Sequence, residues 1–238
     1  YGLTIGSHNL VVTLNGRRLN NIDTSGPAIS EVNINDIERV EITKGSGSVI
    51  YGDSAMAGAI HFYTKKNIQT KISTTSGNYG VSQTSASVGI NDEKIDLNIS
   101  LDNSKHDGFH KAATGGVKDK GKQTKSSIGG TYTTDGGTEI SLDLYRTNSD
   151  IRYPNYLSDA QFEADPTGSG SGSRYTYRDA ESSTTNLKVK RNWGENFEFT
   201  TNRSAIDKES RNFYSYSGAT VDNYKYCLLY TSDAADDT

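Results

Sequence analysis

The sequence predicts a mainly β protein, in which a partial α+β domain is followed by about seven antiparallel strands of a transmembrane β-barrel. Hydrophobic residues make up only 32% of the 238 residues, while the chain holds 24 glycines and 15 tyrosines. Such a composition is typical of strands with one wet face, as in a barrel wall with a polar lumen. Long apolar/polar alternation and alternating short and long connections also support this fold class.

Composition excludes several other classes of protein. No run of about 18 apolar residues occurs, so no membrane-spanning helix is predicted. The net charge is −4 and no Lys/Arg-rich run is present, which argues against nucleic acid as a partner. No nucleophile–base pair or carboxylate pair stands out, so we expect neither an enzyme nor a cofactor, and we assign no catalytic residue.

The first segment opens with a hairpin. In "NLVVTLNGRRLN" (9–20), Asn15-Gly16 suits a type I′ turn, because both central residues need positive φ. We therefore expect a strand at 11–14 that turns back through 17–19. The stretch at 21–30 is rich in turn formers and predicts a loop.

A helical turn and two strands complete the first segment. "NDIE" (35–38) is a capping box with Asn35 as the N-cap residue and Glu38 three residues later, which predicts one short helical turn. "RVEIT" (39–43) alternates as a strand, and "AIHFYT" (59–64) predicts another.

The glycines after the predicted strand 39–43 look like a phosphate-binding loop, but their spacing does not match the known nucleotide-binding motifs. Gly45 and Gly47 fit the first two glycines of a dinucleotide fingerprint, and the third position is Ile50. The acidic residue expected about 20 residues later is missing, and Lys44 precedes the glycines instead of following them. A phosphate site is therefore set aside.

The motifs "NGRRL" (15–19), "IERVE" (37–41), "KGSGSVIYG" (44–52) and "AGAIHFYTK" (57–65) together resemble the plug domain of TonB-dependent outer-membrane receptors. They occur in the family's order and spacing, with Asn15 in place of the usual Asp, Ala59 at a Gly position and His61 in place of Asn. The plug signature residues are Asn15, Gly16, Arg17, Leu19, Glu38, Arg39, Glu41, Lys44, Gly45, Gly47, Ser48, Tyr51, Gly52 and Gly58.

The resemblance implies a domain plan and a function. Residues 1–66 would be the C-terminal portion of the plug, and residues 67–226 the N-terminal part of a barrel that has ~22 strands when complete. The implied function is active transport across the cell outer membrane of a scarce solute of the ferric siderophore, haem or cobalamin class. The implied partners are outer-membrane lipid, a small-molecule or metal-chelate ligand, and the TonB energy-transducing complex, which would act through an N-terminal box absent from this sequence.

The resemblance also places ligand contacts, by location after the first hairpin and not by residue identity. These candidate ligand-binding residues are Ser7, His8, Asn20, Asn21, Ile22, Asp23 and Thr24.

The second segment shows the alternation that a transmembrane strand needs over about 9–11 residues. In "KIDLNISLDNS" (94–104) the apolar residues 95, 97, 99 and 101 alternate with polar ones, and "TEISLDLYR" (138–146) repeats the pattern. Tight turns at 90–94, 134–138 and 192–196 alternate with long connections at 104–122 and 149–173, as in outer-membrane barrels. The predicted strands are 69–77, 81–90, 94–104, 122–134, 138–149, 174–191 and 196–216.

Aromatic residues near the strand ends predict the two membrane interfaces. Trp193 would lie near the inner aromatic girdle, and Tyr175, Tyr177, Tyr214 and Tyr216 at or above the outer one. About seven strands cannot close around a plug, so we expect open sheet edges.

For three groups of side chains, a functional role and a purely structural role are both considered. Asp102, His106, Asp107 and His110 could hold a metal, but no helix aligns them, and an exposed polar loop is the default, so no metal site is assigned. Glu38, Arg39, Glu41 and Lys44 either pair with barrel-wall groups, as plug charges do in the family, or form a solvated face. His61 is interpreted as a packed or barrel-facing strand residue.

The last segment, residues 227–238, differs from the Tyr-, Asn- and Ser-rich sequence that precedes it. "CLLYTSDAAD" resembles the translation of a transposon-end sequencing adapter, so we predict read-through that is not native. The native chain would then contain no cysteine, and disulfide or thiolate arguments lapse.

One alternative function stays open from the sequence. A surface-exposed β-rich adhesin or binding module without transport activity would explain the Tyr-, Ser- and Thr-rich strands. It would not explain the ordered motifs of residues 15–65.

Overall fold

The computed structural model describes residues 10–20, 29, 32–45, 57–66, 69–112, 118–170, 176–194, 197–213 and 220–235, the last of these as backbone. These residues form two sheets, one of four strands and one of eight. We call the first the inner sheet and the second the wall. The mainly β prediction is confirmed.

The inner sheet has the strand order β2-β1-β4-β3. Its strands are β1 (Leu10–Leu14), β2 (Arg17–Arg18), β3 (Ile37–Lys44) and β4 (Gly58–Thr64). Strands β1 and β4 are parallel, and the other pairs are antiparallel. The β1–β2 turn has the predicted geometry, with positive φ at Asn15 (52°) and Gly16 (87°).

The helical turn before β3 is present but has a different cap. It is a 3-10 turn at Ile34–Asp36, and its N-cap is Asn33, whose side chain accepts a hydrogen bond from Asn35 N at 3.2 Å. The prediction of Asn35 as N-cap was wrong because Glu38, its expected capping partner, already lies in β3. The Asn35 side chain is left to reach the wall.

The apolar core of the inner sheet is small. Val12, Leu14, Leu19 and Val32 are buried together, and the wall residue Tyr145 packs against them. Such a core buries few side chains of about 1.5–3 kcal/mol each, so the inner sheet relies on the wall for its remaining contacts.

The wall is an eight-stranded antiparallel meander, ordered β12 to β5 without a crossover. Its strands are β5 (Lys71–Ser76), β6 (Ser82–Asn91), β7 (Ile95–His106), β8 (Gly121–Thr133), β9 (Thr138–Tyr153), β10 (Thr176–Trp193), β11 (Phe197–Phe213) and β12 (Thr220–Ala235). The first seven correspond to the seven predicted strands. Within the described residues β5 and β12 do not pair with each other, so the sheet is open.

Strand β12 was not predicted. It pairs with β11 and includes residues 227–235 of the segment assigned to read-through. Pairing on a sheet edge uses only backbone N–H and C=O groups, which any segment without Pro supplies. The origin of residues 227–238 therefore stays a prediction.

The long connection after β9 contains a short helix that was also not predicted, α1 (Asp159–Ala164). Ser158 and Gln161 form a capping box at its start. The S-x-x-Q spacing was a readable signal in the sequence.

The two faces of the wall are inverted relative to a soluble protein. Ile99 and Leu142 are 45% and 46% exposed, while Ser100 and Asp102, which alternate with apolar residues on β7, are buried. The register aligns Ile99, Ile128 and Leu144 in one row across β7, β8 and β9. This alternation confirms the predicted pattern and gives the wall an apolar outer belt and a polar inner face.

The connections of the wall differ between its two ends. Tight turns at 92–94 and 134–137 lie at one end, and the longer connections leave β7 after His106 and β9 after Tyr153 at the other. Trp193 is at the tight-turn end, 5.6 Å from the Phe197 ring, and Tyr177 is at the opposite end of β10. Tyr175, Tyr214 and Tyr216 lie outside the described residues. In the part of the chain that the structure describes, no helix has the length and apolar character to cross a membrane.

A charged substitution in the apolar outer belt tests whether the belt faces lipid. Leu142→Arg places a cation in the middle of the belt and should destabilise the complete barrel by about 2–4 kcal/mol in lipid vesicles. Urea unfolding in vesicles measures the change. Asn148→Arg, on the same face of β9 but beyond the belt, is the control and should change stability little; equal losses for both variants would contradict the lipid-facing assignment.

Candidate functional site: the seam between the inner sheet and the wall

The inner sheet contacts the polar face of the wall along a seam of hydrogen bonds. Two short segments supply most of these contacts, the β1–β2 turn and the 3-10 turn before β3. A third contact comes from the wall, where Lys125 Nζ donates to the carbonyl of Val32 at 2.9 Å. The seam is therefore built from turns whose side chains extend to the wall.

In the β1–β2 turn, Asn15 links three elements. Its Nδ2 donates to Thr64 Oγ1 at 2.8 Å and to the Tyr145 hydroxyl at 3.3 Å, and its Oδ1 accepts from Thr64 N at 3.0 Å. A side-chain amide can donate and accept at once, whereas an ionised Asp could only accept. Asn15 thus joins the turn both to β4 and to β9 of the wall.

Arg17 follows the turn and is buried against the same part of the wall. Only 2% of the residue is exposed, Nη1 donates to Thr184 Oγ1 at 3.4 Å, and the guanidinium lies 5.1 Å from the centre of the Tyr145 ring. Cation–π contact and a hydrogen bond stabilise this charge together. Gly16 fits because a Cβ there would lie 3.2 Å from Asn202 Nδ2 on β11.

In the 3-10 turn, Asp36 is the centre of the contact with β7. Its carboxylate accepts from Ser100 Oγ and from Asn33 Nδ2, the latter at 3.1 Å. Next to it, Asn35 Nδ2 donates to Asp102 Oδ2 at 3.4 Å.

Burial raises the pKa of Asp36. The hydrogen bonds from Ser100 and Asn33 and the positive charge of Lys65 act in the opposite direction and are outweighed. The docked carboxyl group therefore holds its proton more tightly than an exposed Asp does.

His61 lies buried on the central strand β4, as the packed-residue interpretation expects. Its Nδ1 is 2.8 Å from Thr13 Oγ1, and burial lowers its pKa against the opposing charge of Glu41 on β3. The neutral imidazole is thus favoured, and the residue packs within the inner sheet instead of reaching the wall.

The charge cluster on β3 faces away from the wall. Arg39 Nε is 2.8 Å from Glu41 Oε1 and its guanidinium lies 3.9 Å from the Tyr63 ring, and Glu38 and Lys44 are exposed. Among the described residues none of the four forms a hydrogen bond or an ion pair with the wall. The two interpretations, pairing with barrel-wall groups and a solvated face, both stay open. Exposed ion pairs of this kind add little stability.

Of the predicted ligand-binding residues, only Asn20 is described. Its Oδ1 accepts from Val12 N at 2.9 Å and its Nδ2 donates to Leu10 O at 2.7 Å, so the amide supports strand β1. Ser7, His8, Asn21, Ile22, Asp23 and Thr24 lie outside the described residues, as do the signature residues Gly47, Ser48, Tyr51 and Gly52.

Two signature glycines are described beside β3 and β4. Gly45 ends β3 with φ of 94°, and Gly58 begins β4 with φ of 137°. A Cβ at Gly58 would meet the carbonyl oxygen of Thr43 at 2.2 Å, so only glycine fits.

The four residues considered for a metal do not converge. Asp102 faces the inside of the wall and accepts from Gln83, whereas His110 is hydrogen-bonded to Asp119 at 2.7 Å in the connection after β7. Asp107 lies against Gly80, and His106 against Gly121. Within the described ranges no group of three or more His, Cys, Asp or Glu side chains is placed for a metal ion.

The wall partners of the seam were not singled out from the sequence. Ser100 belongs to the polar face predicted for β7, but Tyr145, Thr184 and Asn202 carry no local signal. Asn15 and Tyr145 are separated by 130 positions, so only the tertiary fold pairs them.

Most of the inner sheet falls within residues that match a known family model. Residues 3–59 match the family model of the TonB-dependent Receptor Plug Domain. Over 168 residues the chain is 27% identical to the vitamin B12 transporter BtuB of Vibrio vulnificus. The aligned region covers 68% of this chain and 27% of that protein.

Solved structures share the fold at lower identity. The ferric yersiniabactin uptake receptor FyuA of Yersinia pestis superposes with a TM-score of 0.71 at 13% identity, covering 97% of this chain and 37% of that one. The siderophore receptor PiuA of Acinetobacter baumannii has a TM-score of 0.63 at 15% identity, covering 87% and 30%. The chain thus spans about a third of the length of these relatives.

The raised pKa of Asp36 gives the seam a pH dependence. Because the docked state binds the proton more tightly, docking of the inner sheet is strongest below the ordinary Asp pKa of 3.8 and weakens as pH rises through the raised value. Asp36→Asn should abolish this dependence, measured as hydrogen exchange of the β3 amides against pH in the complete barrel. Asp92→Asn, in a tight turn, is the control, and an unchanged pH profile in Asp36→Asn would refute the assignment.

Gly16→Ala should lower the free energy of unfolding by about 1–2 kcal/mol because Gly16 has positive φ. It should lower it further because the new Cβ would displace the Asn202 side chain. Gly137→Ala is a matched control, since Gly137 has φ of 74° and no atom within 4 Å of the place where a Cβ would lie. Chemical denaturation of the complete barrel measures both. Equal losses for the two variants would show that the contact with the wall adds nothing.

Proposed function

We propose that the chain, which belongs to the TonB-dependent outer-membrane receptors, carries part of the gate of an active transporter. The observation that supports this most is the seam, where the inner sheet lies against the polar face of a wall whose other face is apolar. An inner sheet in this place obstructs the lumen of the barrel. The chain is part of an outer-membrane protein, and we propose that its inner sheet belongs to the plug.

The contacts of the seam suit a gate in which the inner sheet has to detach from the wall. Most of its described contacts are hydrogen bonds, and Tyr145 supplies a small apolar contact. A hydrogen bond between neutral groups contributes about 0.5–1.5 kcal/mol net, and one to a charged group about 1.5–3 kcal/mol. Water can replace these partners when the inner sheet moves, whereas a large apolar contact would expose surface at a high free-energy cost. Energy from the TonB complex would act on a few such contacts at a time.

We propose that the solute is scarce and too large for passive entry, of the cobalamin, ferric siderophore or haem class. Support comes from the relatives, which are named as a vitamin B12 transporter, a siderophore receptor and a ferric yersiniabactin uptake receptor. The residues before β1 and after β2, which include Ser7, His8 and 21–24, are proposed to contact it from the plug. A β-rich adhesin would give the inner sheet and its seam no role.

Transport is tested in the full-length receptor that contains this chain. Cells that lack their own receptors should accumulate cyanocobalamin, a ferric siderophore or haem when they express it, and accumulation of the transported solute should stop when TonB is deleted. Uptake of a radiolabelled or isotopically labelled solute measures this. Accumulation that is independent of TonB, or surface adhesion without uptake of any of the three, would overturn the proposal.

The seam itself is tested by passive leakage. The double variant Asn15→Ala, Arg17→Ala removes the contacts of the β1–β2 turn with Tyr145 and Thr184 and should raise the entry of a large hydrophilic antibiotic several-fold. Growth inhibition measures entry. The double variant Asp92→Ala, Glu93→Ala is the matched control, because both residues are exposed in the tight turn between β6 and β7; equal leakage in this control would contradict a gating role for the seam.

A further inference from the structure

The seam has two halves that are held by different interactions. We call the contact of Asn15 and Arg17 with β9 and β10 the β1–β2 contact, and the contact of residues 33–36 with β7 the 3-10 contact. The β1–β2 contact includes the apolar core of the inner sheet, because Tyr145 packs against that core and the Arg17 guanidinium lies over its ring. Moving this turn away from the wall would expose apolar surface and break the cation–π contact.

The 3-10 contact is made by polar side chains. Asn35 Nδ2 donates to Asp102 Oδ2 at 3.4 Å, and Ser100 Oγ donates to the Asp36 carboxylate. Ile34, the apolar residue of this turn, is 82% exposed, so little of its surface is buried by the wall. Detaching the 3-10 turn would therefore exchange hydrogen bonds to the wall for hydrogen bonds to water and expose little additional apolar surface.

The wall partners of the 3-10 contact keep a hydrogen bond when the turn leaves. Ser100 Oγ is also 2.8 Å from Ser127 Oγ, and Asp102 Oδ2 also accepts from Gln83 Nε2 at 2.8 Å. A buried polar group that loses its last partner destabilises a structure more than a typical hydrogen bond stabilises it. Because both wall groups retain a partner on a neighbouring strand, release at the 3-10 contact avoids this cost.

A cavity of about 500 Å³ borders the 3-10 contact. Asn35 and Asp36 line it from the turn, Ser87 from β6, and Lys65 and Lys71 from the chain that leads from β4 into β5. Lys65 also ties the turn to that chain, because its backbone N donates to Asp36 O at 2.8 Å and its Nζ to Asn35 O at 2.9 Å. The lining is polar, and the volume falls in the range of small-molecule sites, roughly 300–1,000 Å³.

The cavity lies on the inner side of the wall at the depth of the apolar belt. Ser87, which lines it, pairs with Ser100 of β7, and the next residue of β7 towards the tight turn, Ile99, belongs to the row that forms the belt. Beside the β1–β2 contact the corresponding space is filled, since a Cβ at Gly16 would lie 3.2 Å from Asn202 Nδ2. The space between the inner sheet and the wall is therefore open on one side of the inner sheet and closed on the other.

We propose that the inner sheet detaches from the wall at the 3-10 contact, that the β1–β2 contact stays in place as the pivot, and that the solute passes through the enlarged cavity between the 3-10 turn and β6. The proposal rests on the transport function proposed above and places its opening on one side of the inner sheet. Val32 and its hydrogen bond from Lys125 stay with the pivot, because Val32 is buried in the same core as Val12.

Cross-linking tests which half of the seam has to open. In a cysteine-free background of the full-length receptor, Asn35→Cys, Asp102→Cys places a thiol on each side of the 3-10 contact, and Arg17→Cys, Thr184→Cys does the same at the β1–β2 contact. A short bismethanethiosulfonate reagent joins each pair reversibly. The 3-10 cross-link should lower TonB-dependent uptake roughly tenfold or more, and the β1–β2 cross-link less than about twofold.

Uptake is measured with whichever of cyanocobalamin, a ferric siderophore and haem the receptor accumulates. Each variant is compared before and after reduction of its cross-link, so the effects of the substitutions themselves cancel. Reduction should restore uptake in the variant that is joined at the 3-10 contact, which also shows that this variant is folded. Mass spectrometry measures the extent of cross-linking.

A second measurement blocks the cavity itself. Ser87→Cys places a thiol on its lining, and Ser141→Cys is the matched control, a half-buried serine on the inner face of β9 in the same row as Asn202. Attachment of a bulky methanethiosulfonate reagent should lower uptake roughly tenfold in the first variant and less than about twofold in the second.

Equal loss of uptake with the two cross-links, or full uptake with the 3-10 cross-link in place, overturns the proposal. Failure of the thiol at position 87 to react, or equal loss after modification at positions 87 and 141, does so as well. In each of these cases TonB-dependent uptake by the unmodified receptor leaves the transport function standing. Absence of TonB-dependent uptake in the unmodified receptor instead removes the transport function, and this proposal with it.

Discussion

The structure depends on one constraint, that a strand in a membrane pairs every backbone N–H and C=O group with a neighbouring strand. The meander of β5 to β12 meets this constraint between neighbours, and among the described residues the outer edges of β5 and β12 have no strand partner. The pairing fixes the register, and the register decides the face of every side chain. The apolar row of Ile99, Ile128 and Leu144 and the buried Ser100 are both consequences of it.

A polar inner face determines how anything inside the wall can be held. The inner sheet cannot dock there through a large apolar surface, because the wall offers hydroxyls, amides and carboxylates. It docks through two turns instead, where Asn15 and Asp36 present polar atoms to Tyr145 and Ser100. The small core around Val12 and Leu14 keeps the inner sheet folded, while the hydrogen bonds keep it in place. Folding and docking of the inner sheet are thus carried by different interactions, which lets docking change without unfolding.

The two ends of the wall differ in their connections and in their contacts. At the tight-turn end, short connections and the cluster of Trp193 and Phe197 anchor the strands at an interface. At the other end, long strands continue beyond the apolar belt and carry loops that contact each other through Lys111 and Asp165. Charge that would be costly in the belt is tolerated there because water solvates it. The charge of these connections can therefore change without any change in the wall.

The sequence by itself determined the features that follow from local pattern. Period-two alternation predicted seven strands and their faces, because the pleat sends successive side chains to opposite sides. Asn15-Gly16 predicted the hairpin turn because positive φ at two positions leaves few residue choices. The ordered motifs of residues 15–65 led to the plug resemblance. The helix α1 was also within reach, since Ser158 and Gln161 spell a capping box.

Only the tertiary structure decided which residues meet. Asn15 and Tyr145, and Asp36 and Ser100, are joined across 130 and 64 positions, and no local propensity encodes such a distance. The same holds for the cap at Asn33, which freed Asn35 to reach Asp102, and for Asn20, whose amide is used by β1. Local pattern sets the direction in which a side chain points, but its partner depends on how two separately folded sheets pack, and that packing is a property of the whole chain.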